Sequence, residues 1–149
     1  MPKASVKRLI QCKKEQLIDL VLDIEKYPIF VPFCLDSKVY ERKEKGDLLL
    51  IIADLTIGKG PFKDTYKSDV KFSKKNDSIY VTNLDGPLKH LENRWHFKEE
   101  NNFTEVLFDV DFELKNHFLN IVMTKSFQFG IDKIADAFQK RAEELFNKT

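Results

Sequence analysis

The sequence has few of the residues that form disulfides or interrupt regular secondary structure, and it has no long hydrophobic segment. Among its 149 residues are two cysteines, five glycines and five prolines. Cys12 and Cys34 form neither a CxxC pair nor a disulfide framework, which indicates two buried or half-buried thiols in a reducing compartment. The longest purely apolar run, 48–53, is far shorter than the ~20 residues of a membrane-spanning helix. Residues 1–6 lack the apolar segment of a secretory signal, so we expect a cytoplasmic protein.

The chain also lacks an excess of charge. Its 25 lysines and arginines balance 24 acidic residues, giving a net charge of +1. This balance argues against a protein dedicated to binding DNA through phosphates. What the chain does have in excess is phenylalanine, with 13 residues, which predicts a large apolar interior or cavity. Its length suits one domain over 1–149.

Apolar and polar residues alternate over most of the chain, which is typical of antiparallel strands with one buried face. The predicted strands span 4–10, 36–42, 49–57, 62–72, 78–84, 91–97 and 106–114. Turn residues separate most of them, at 45–47, 58–61, 76–77 and 85–87.

Two helices are predicted beside the strands. Leu17, Leu20 and Val21 begin an apolar stripe of helical spacing, and we expect Pro28 to end that helix because a residue before proline avoids helical geometry. A short helical turn follows. The second helix runs without proline from 117 to 148. The elements together predict an α+β helix-grip fold, in which a curved antiparallel sheet of six or seven strands wraps the long C-terminal helix.

Three features suggest a binding site, and each has a plainer alternative. The start of the long helix, 118–129, is apolar on nearly all sides, which suits a cavity wall, a membrane contact, or core plus a second subunit. The segment 27–34 holds three aromatic residues and two prolines, which suits a pocket rim or a loop over the core. Asp64, Ser68 and Asn93 fall on predicted buried faces, where they either orient a ligand or are satisfied by backbone groups.

Catalytic and metal-binding patterns are weak. The sequence contains no G-x-S-x-G, no phosphate-binding glycine loop and no H-E-x-x-H. His90 and His96 share the predicted exposed face of one strand, but a metal site would need a third ligand that the sequence does not indicate. We therefore expect no catalytic residue and no metal. Asp64 is the one titratable residue that we can place in the expected cavity.

Four segments resemble a known family. They are 27–34 (Tyr-Pro-Ile-Phe-Val-Pro-Phe-Cys), 53–58 (Ala-Asp-Leu-Thr-Ile-Gly), 84–97 and 137–142. In this order they are similar to the coenzyme Q-binding, polyketide cyclase/dehydrase-like family of the START (SRPBCC) superfamily. The most specific block is D-G-P-x5-N-R-W, which ends at Trp95. The resemblance covers nearly the whole chain.

The resemblance implies a hydrophobic ligand between sheet and long helix, with ubiquinone as the leading candidate and no other cofactor. The implied function is non-enzymatic binding and delivery of that lipid in support of respiration. The chain shows no mitochondrial presequence, which favours a bacterial, cytoplasmic protein; transient contact with the inner-membrane surface stays open. Some bacterial members are instead ribosome-associating toxins that block subunit joining, for which Lys63, Lys67 and Lys71 are a candidate surface or simply a solvated one. Others are named polyketide or oligoketide cyclases, and Asp64 would have to supply the acid or base.

We expect an apolar cavity between sheet and helix. The predicted ligand-binding residues are Tyr27, Phe30, Phe33, Leu55, Asp64, Tyr66, Leu91, Asn93, Trp95, Phe108, Phe112, Phe127 and Ile131.

Overall fold

The computed structural model describes residues 3–59, 62–85, 88–124 and 126–146. It contains seven strands: β1 (Lys3–Ile10), β2 (Cys34–Lys45), β3 (Leu48–Lys59), β4 (Phe62–Ser73), β5 (Ser78–Asp85), β6 (Leu88–Glu100) and β7 (Phe103–Leu114). The helices are α1 (Lys14–Leu22), α2 (Tyr27–Phe30), α3 (His117–Thr124) and α4 (Phe127–Phe146), with a 3₁₀ turn at Ile24–Lys26.

The strands form one antiparallel sheet in the order β1-β7-β6-β5-β4-β3-β2. Strands β2 to β7 are a meander, and β1 joins it beside β7. The α+β helix-grip prediction is confirmed, and every predicted strand is present. Register shifts between β2 and β3, between β4 and β5 and between β6 and β7 interrupt the ladder, which bends a sheet and increases its twist.

Helix α4 packs over β1 and the sheet through Ile131, Ala135, Phe138 and Ala142, which repeat at helical spacing. Phe138 is the centre of this contact. Its ring lies 5.2 Å from that of Trp95 on β6 and 5.2 Å from that of Phe30 on α2, centroid to centroid. The aromatic rings of α2, α4 and β6 therefore form one cluster.

The long C-terminal helix is two helices rather than one. Helix α3 ends at Thr124, whose hydroxyl donates to the carbonyl of Asn120, and α4 begins at Phe127. Asn120 also accepts a hydrogen bond from the backbone of Leu114, which holds α3 against the end of β7. Ser126, a residue type favoured before the first turn of a helix, precedes α4. The sequence pattern alone did not show this break.

The prediction that Pro28 ends the first helix is wrong. Helix α1 already ends at Leu22, and Pro28 lies in the first turn of α2. Tyr27, directly before it, keeps helical angles of φ −53° and ψ −42°. Proline is tolerated in a first turn because that turn's backbone N–H groups have no partner within the helix.

Candidate ligand-binding site

The concave face of the sheet is covered unevenly. Over β6 and β7, Leu91, Trp95, Phe108 and Phe112 are buried. Over β3, β4 and β5 the side chains on the same face include Leu55, Tyr66 and Val81, which are only half-buried although they pack against the core. Ile51, Val70 and Ile79 on that face are buried, so the concave face of β3–β5 is apolar and is open only around Leu55, Tyr66 and Val81.

The segment 27–34 and the start of α4 border this open area. Tyr27, Phe30 and Phe33 are half-buried, and so is Phe127, whose ring stacks on Phe112 with 5.6 Å between centroids. We call the half-buried set the apolar groove. Its members are Tyr27, Phe30, Phe33, Leu55, Tyr66, Val81 and Phe127.

Phe33 links the two sides of the groove. Its carbonyl accepts a hydrogen bond from Gly58 at the end of β3, at 2.9 Å. Its ring lies 3.9 Å from the position that a Cβ of Gly130 would occupy on α4. Phe33 also has φ 69°, in the left-handed region that aromatic residues rarely adopt. This unusual backbone angle coincides with a residue that connects β3 to α4.

An enclosed void lies elsewhere, beneath the middle of α4. It holds about 10 Å³ and is lined by Val6, Arg8, Ile10, Leu17, Trp95, Val106, Phe108, Ala135 and Phe138. A space of this size accommodates at most one water molecule. Of the residues predicted to line a ligand cavity, only Trp95 and Phe108 border it. The quinone-sized cavity expected between sheet and helix is therefore not found at this void, because the Trp95, Phe108 and Phe138 rings fill the space beneath α4. On the concave side the described residues offer a ligand the half-buried apolar groove.

Most of the predicted site residues do lie on the concave side. Leu91, Trp95, Phe108, Phe112 and Ile131 are buried. Tyr27, Phe30, Phe33, Leu55, Tyr66, Asn93 and Phe127 are half-buried. The sequence analysis missed Phe138, which lies at the centre of the aromatic cluster. Its position in the apolar stripe of α4 could have indicated that it faces the sheet.

Asp64 was predicted at the site but is exposed. It shares a strand face with Tyr66, yet it lies near the beginning of β4, where its carboxylate accepts a hydrogen bond from the backbone of Thr65 at 3.0 Å. The face of β4 on which Asp64 lies was predicted correctly. The burial of Asp64 was not, because the helices do not extend over this end of the strand. Asp64 is thus no buried acid or base.

The other two polar residues on the concave face differ from each other. Ser68 is buried, and its hydroxyl donates to the carbonyl of Ala53 at 3.1 Å. In Asn93 the amide oxygen is buried without a hydrogen-bond partner. Its cross-strand neighbours are Val81 and Val110, whose side chains offer no donor. An unpaired buried acceptor costs about 1–3 kcal/mol, so Asn93 marks a point where a ligand hydroxyl would be stabilised.

The titratable groups beside the groove stay protonated at neutral pH. Burial raises the pKa of the Cys34 thiol from 9.0 to about 11. Burial, followed by the proximity of Cys34, raises the pKa of Tyr66 above its usual range. Burial likewise raises the pKa of Tyr27, whose hydroxyl donates to the Val21 carbonyl. These groups can donate hydrogen bonds but are poor bases and nucleophiles.

On the convex face the structure brings together three metal-type ligands, of which the sequence analysis named only His90. His90 and Glu92 on β6 and Asp111 on β7 place ligand atoms within 4.8 Å of one another, and His96 is not among them. Other groups already contact the carboxylates: Lys3 Nζ is 3.8 Å from Asp111, and the Tyr80 hydroxyl donates to Glu92 at 3.1 Å. These contacts reach one oxygen of each carboxylate, whereas Asp111 Oδ1 is buried without a hydrogen-bond partner.

The predicted lysine row lies on the convex face of β4. Lys63 and Lys71 are exposed, and the Lys67 ammonium lies 4.9 Å from the centre of the Tyr40 ring. The Tyr40 hydroxyl donates to Asp54 at 2.6 Å, so an acidic residue sits within the row.

The family model for polyketide cyclase/dehydrase and lipid transport matches residues 10–139. The chain belongs to this family. Among its relatives, the mitochondrial coenzyme Q-binding protein COQ10 of Dictyostelium discoideum is 32% identical over 90% of this chain and 65% of its own length. The ribosome association toxin RatA of Rickettsia prowazekii is 27% identical over 93% of this chain and 94% of its own length.

Solved structures share the fold of this chain. A START superfamily protein from Mycobacterium smegmatis matches with a TM-score of 0.78 and 19% identity, over 96% of this chain and 98% of the other. The Zhui aromatase/cyclase from Streptomyces matches with a TM-score of 0.78 and 12% identity, over 95% and 93%. At these identities the likeness shows the fold alone. Within the described residues no helix is long and apolar enough to cross a membrane.

Proposed function

We propose that the protein binds and delivers an isoprenoid quinone, ubiquinone or a close analogue, without catalysing a reaction on it. The observation that carries this proposal is the apolar groove, a half-buried aromatic and aliphatic surface on the concave side of the sheet. A long isoprenoid tail makes no hydrogen bonds, so its affinity comes from buried apolar area, at roughly 25 cal/mol per Å². Tyr66 and Asn93 supply the few polar atoms that a quinone head needs.

The absence of catalysis is inferred from the groups beside the groove. Burial raises the pKa values of Cys34, Tyr27 and Tyr66, and Asp64 is exposed. Among the described residues this leaves the groove without an ionised base at neutral pH. A cyclase would need such a group to remove a proton from its substrate.

The test is extraction of lipid from the purified protein followed by mass spectrometry. We expect a quinone in near-stoichiometric amount from the wild type. Phe127→Asp places a charge in the groove and should abolish co-purification, whereas Asn93→Ala and the convex-face variant His90→Ala should retain most of the quinone. Circular dichroism verifies folding of each variant. Wild-type protein that carries no quinone when expressed in quinone-containing cells would contradict the proposal.

A second candidate function is ribosome association. It is supported by the name of the RatA relative and by the lysine row on β4. Under this alternative Lys63→Glu with Lys71→Glu abolishes co-sedimentation with ribosomal subunits, and Phe127→Asp does not. The two functions use opposite faces of the sheet, so these variants separate them.

A further inference from the structure

Large apolar side chains are exposed at one end of the sheet. This is the end where β3, β5 and β7 finish and where α3 and α4 begin. Phe118 is 72% exposed and Phe129 64% exposed. Ile121 on α3, Leu84 near the end of β5 and Leu35 near the beginning of β2 are exposed as well. We call these five residues the α3 rim.

Elsewhere the described surface exposes fewer large apolar side chains together. Leu9 (53%), Phe103 (37%) and Leu107 (38%) lie towards the opposite end of the sheet. The others are Ile29 (64%), Tyr40 (50%) and Leu145 (38%). Monomeric proteins rarely present clustered large apolar side chains to water unless the cluster contacts a partner or a membrane. The side chains of Leu119, Val122 and Met123, which belong to the apolar stretch predicted around the start of the long helix, lie outside the described residues.

The α3 rim lies beside the apolar groove. Phe129 immediately precedes Gly130, which faces the Phe33 ring, and Phe33 is hydrogen-bonded to the end of β3. Phe127, a groove residue, is only two positions from Phe129. A ligand that leaves the groove at this end therefore passes the exposed side chains.

Lysines surround these apolar residues. Lys63 near the beginning of β4, Lys89 near the beginning of β6, and Lys115 after β7 are all exposed. The Lys133 ammonium lies 4.8 Å from the centre of the Phe129 ring. Glu113 pairs with Lys89 at 3.9 Å, and Asp36 and Asp64 are exposed at the same end, so the charge there is mixed. Apolar side chains ringed by lysines are typical of surfaces that sit at the head-group level of anionic membranes.

We propose that the α3 rim docks on the surface of a lipid bilayer that contains anionic head groups, with Phe118 and Phe129 inserted at the boundary with the acyl chains. The rim residues lie on two helices and at two strand ends, so they form an uneven surface. A fluid lipid surface can conform to such a surface. The inference rests on the proposed function, because a quinone is held in the bilayer from which the groove would take it.

The experiment is co-sedimentation of the delipidated full chain with quinone-free vesicles of phosphatidylcholine and phosphatidylglycerol. The variants are Phe118→Ser and Phe118→Ser with Phe129→Ser. The matched control is Phe103→Ser, an exposed phenylalanine at the opposite end. We expect the wild type and the control to sediment with vesicles, and each rim substitution to weaken binding by about tenfold, as burial of a phenylalanine predicts.

The inference is overturned if the wild type stays in the supernatant or if the doubly substituted protein sediments as the wild type does. It is also overturned if gel filtration shows a dimer that the rim substitutions dissociate, because a second copy would then cover the rim. Quinone in the lipid extract is measured separately. Quinone retention without vesicle binding contradicts the docking alone, and vesicle binding without quinone contradicts the proposed ligand alone.

Discussion

The Phe127 ring lies nearly parallel to the Phe112 ring, with 15° between the planes and 5.6 Å between centroids. Phe112 is buried in the sheet and Phe127 is half-buried at the start of α4. The pair therefore joins the closed core to the open groove. A substitution at Phe127 should affect the ligand more than the fold.

Phe127→Leu tests this expectation with the apolar character retained. We expect it to keep quinone binding within a few-fold of wild type, because the groove remains apolar, and to lower the free energy of unfolding by about 1 kcal/mol through the lost stacking. Tryptophan fluorescence of Trp95 during quinone titration and urea unfolding measure the two effects. If Phe127→Leu lost quinone binding as completely as Phe127→Asp, the shape of the ring and not its apolar character would determine binding.

Phe138→Ala should destabilise the fold strongly. Phe138 is 3% exposed, and its ring lies 5.2 Å from Trp95 and 5.5 Å from Tyr27. Truncating such a ring leaves a cavity and costs about 3–5 kcal/mol. Urea unfolding gives the value, and Phe103→Ala, at an exposed turn, is the control expected to stay within about 1 kcal/mol of wild type. A small loss for Phe138→Ala would mean that the cluster is not the centre of the core.

The strands could be predicted because alternation is a local property of the sequence. Each strand with one buried face repeats every two residues, and Val106 to Leu114 shows it with one exception, the exposed Leu107. The exposure of Asp64 could not be predicted in this way, since it depends on how far the helices extend over the strand. The sequence analysis grouped His90 with His96 and did not find Asp111 for a related reason: Asp111 comes from the neighbouring strand, and pairing register is not local.

The helices were harder because their ends depend on packing. The stretch from 117 to 148 has no proline, so its periodicity favours one helix, yet Asn120 bonds to the end of β7 and α3 stops at Thr124. Pro28 was treated as a terminator, although the same residue suits the first turn of a new helix. Of the groove residues, Leu55 and Tyr66 could be predicted from the strand faces. Tyr27, Phe30 and Phe33 were identified from the aromatic content of 27–34 and not from periodicity. How open the groove is depends on α4 and could not be predicted from the sequence.

The two cysteines should make stability depend on pH in the alkaline range. Burial raises the pKa of both Cys12 and Cys34 from 9.0 to about 11. Because the folded state holds these protons more tightly than the unfolded state, their contribution is complete below pH 9 and is lost as the pH rises towards 11.

The measurement is the free energy of unfolding in urea at several pH values across this window. Other groups titrate there too, so the informative quantity is the difference between the wild type and the protein carrying Cys12→Ala and Cys34→Ala. We expect the substituted protein to have a lower free energy of unfolding at the low end of this pH range. Its free energy of unfolding should then decrease less steeply than that of the wild type as the pH rises. Parallel pH profiles would show that the thiols do not contribute to the alkaline loss.

Asn93→Leu separates ligand recognition from stability. The Asn93 amide oxygen is buried without a partner, between Val81 and Val110 on the adjacent strands. Replacing it with an apolar side chain of similar size removes the penalty, so the free energy of unfolding of the ligand-free protein should rise by about 1–3 kcal/mol.

The same oxygen can accept a hydrogen bond from the hydroxyl of a reduced quinone head, but not from the oxidised head, which has acceptors alone. The wild type should therefore bind short-chain ubiquinol more tightly than ubiquinone, by about fivefold for one hydrogen bond worth about 1 kcal/mol net, and Asn93→Leu should bind both equally. Anaerobic titrations with the two redox forms, followed by Trp95 fluorescence, measure the ratio. A ratio that Asn93→Leu leaves unchanged would assign the preference to another group, and a less stable Asn93→Leu protein would show that the oxygen already has a partner in solution.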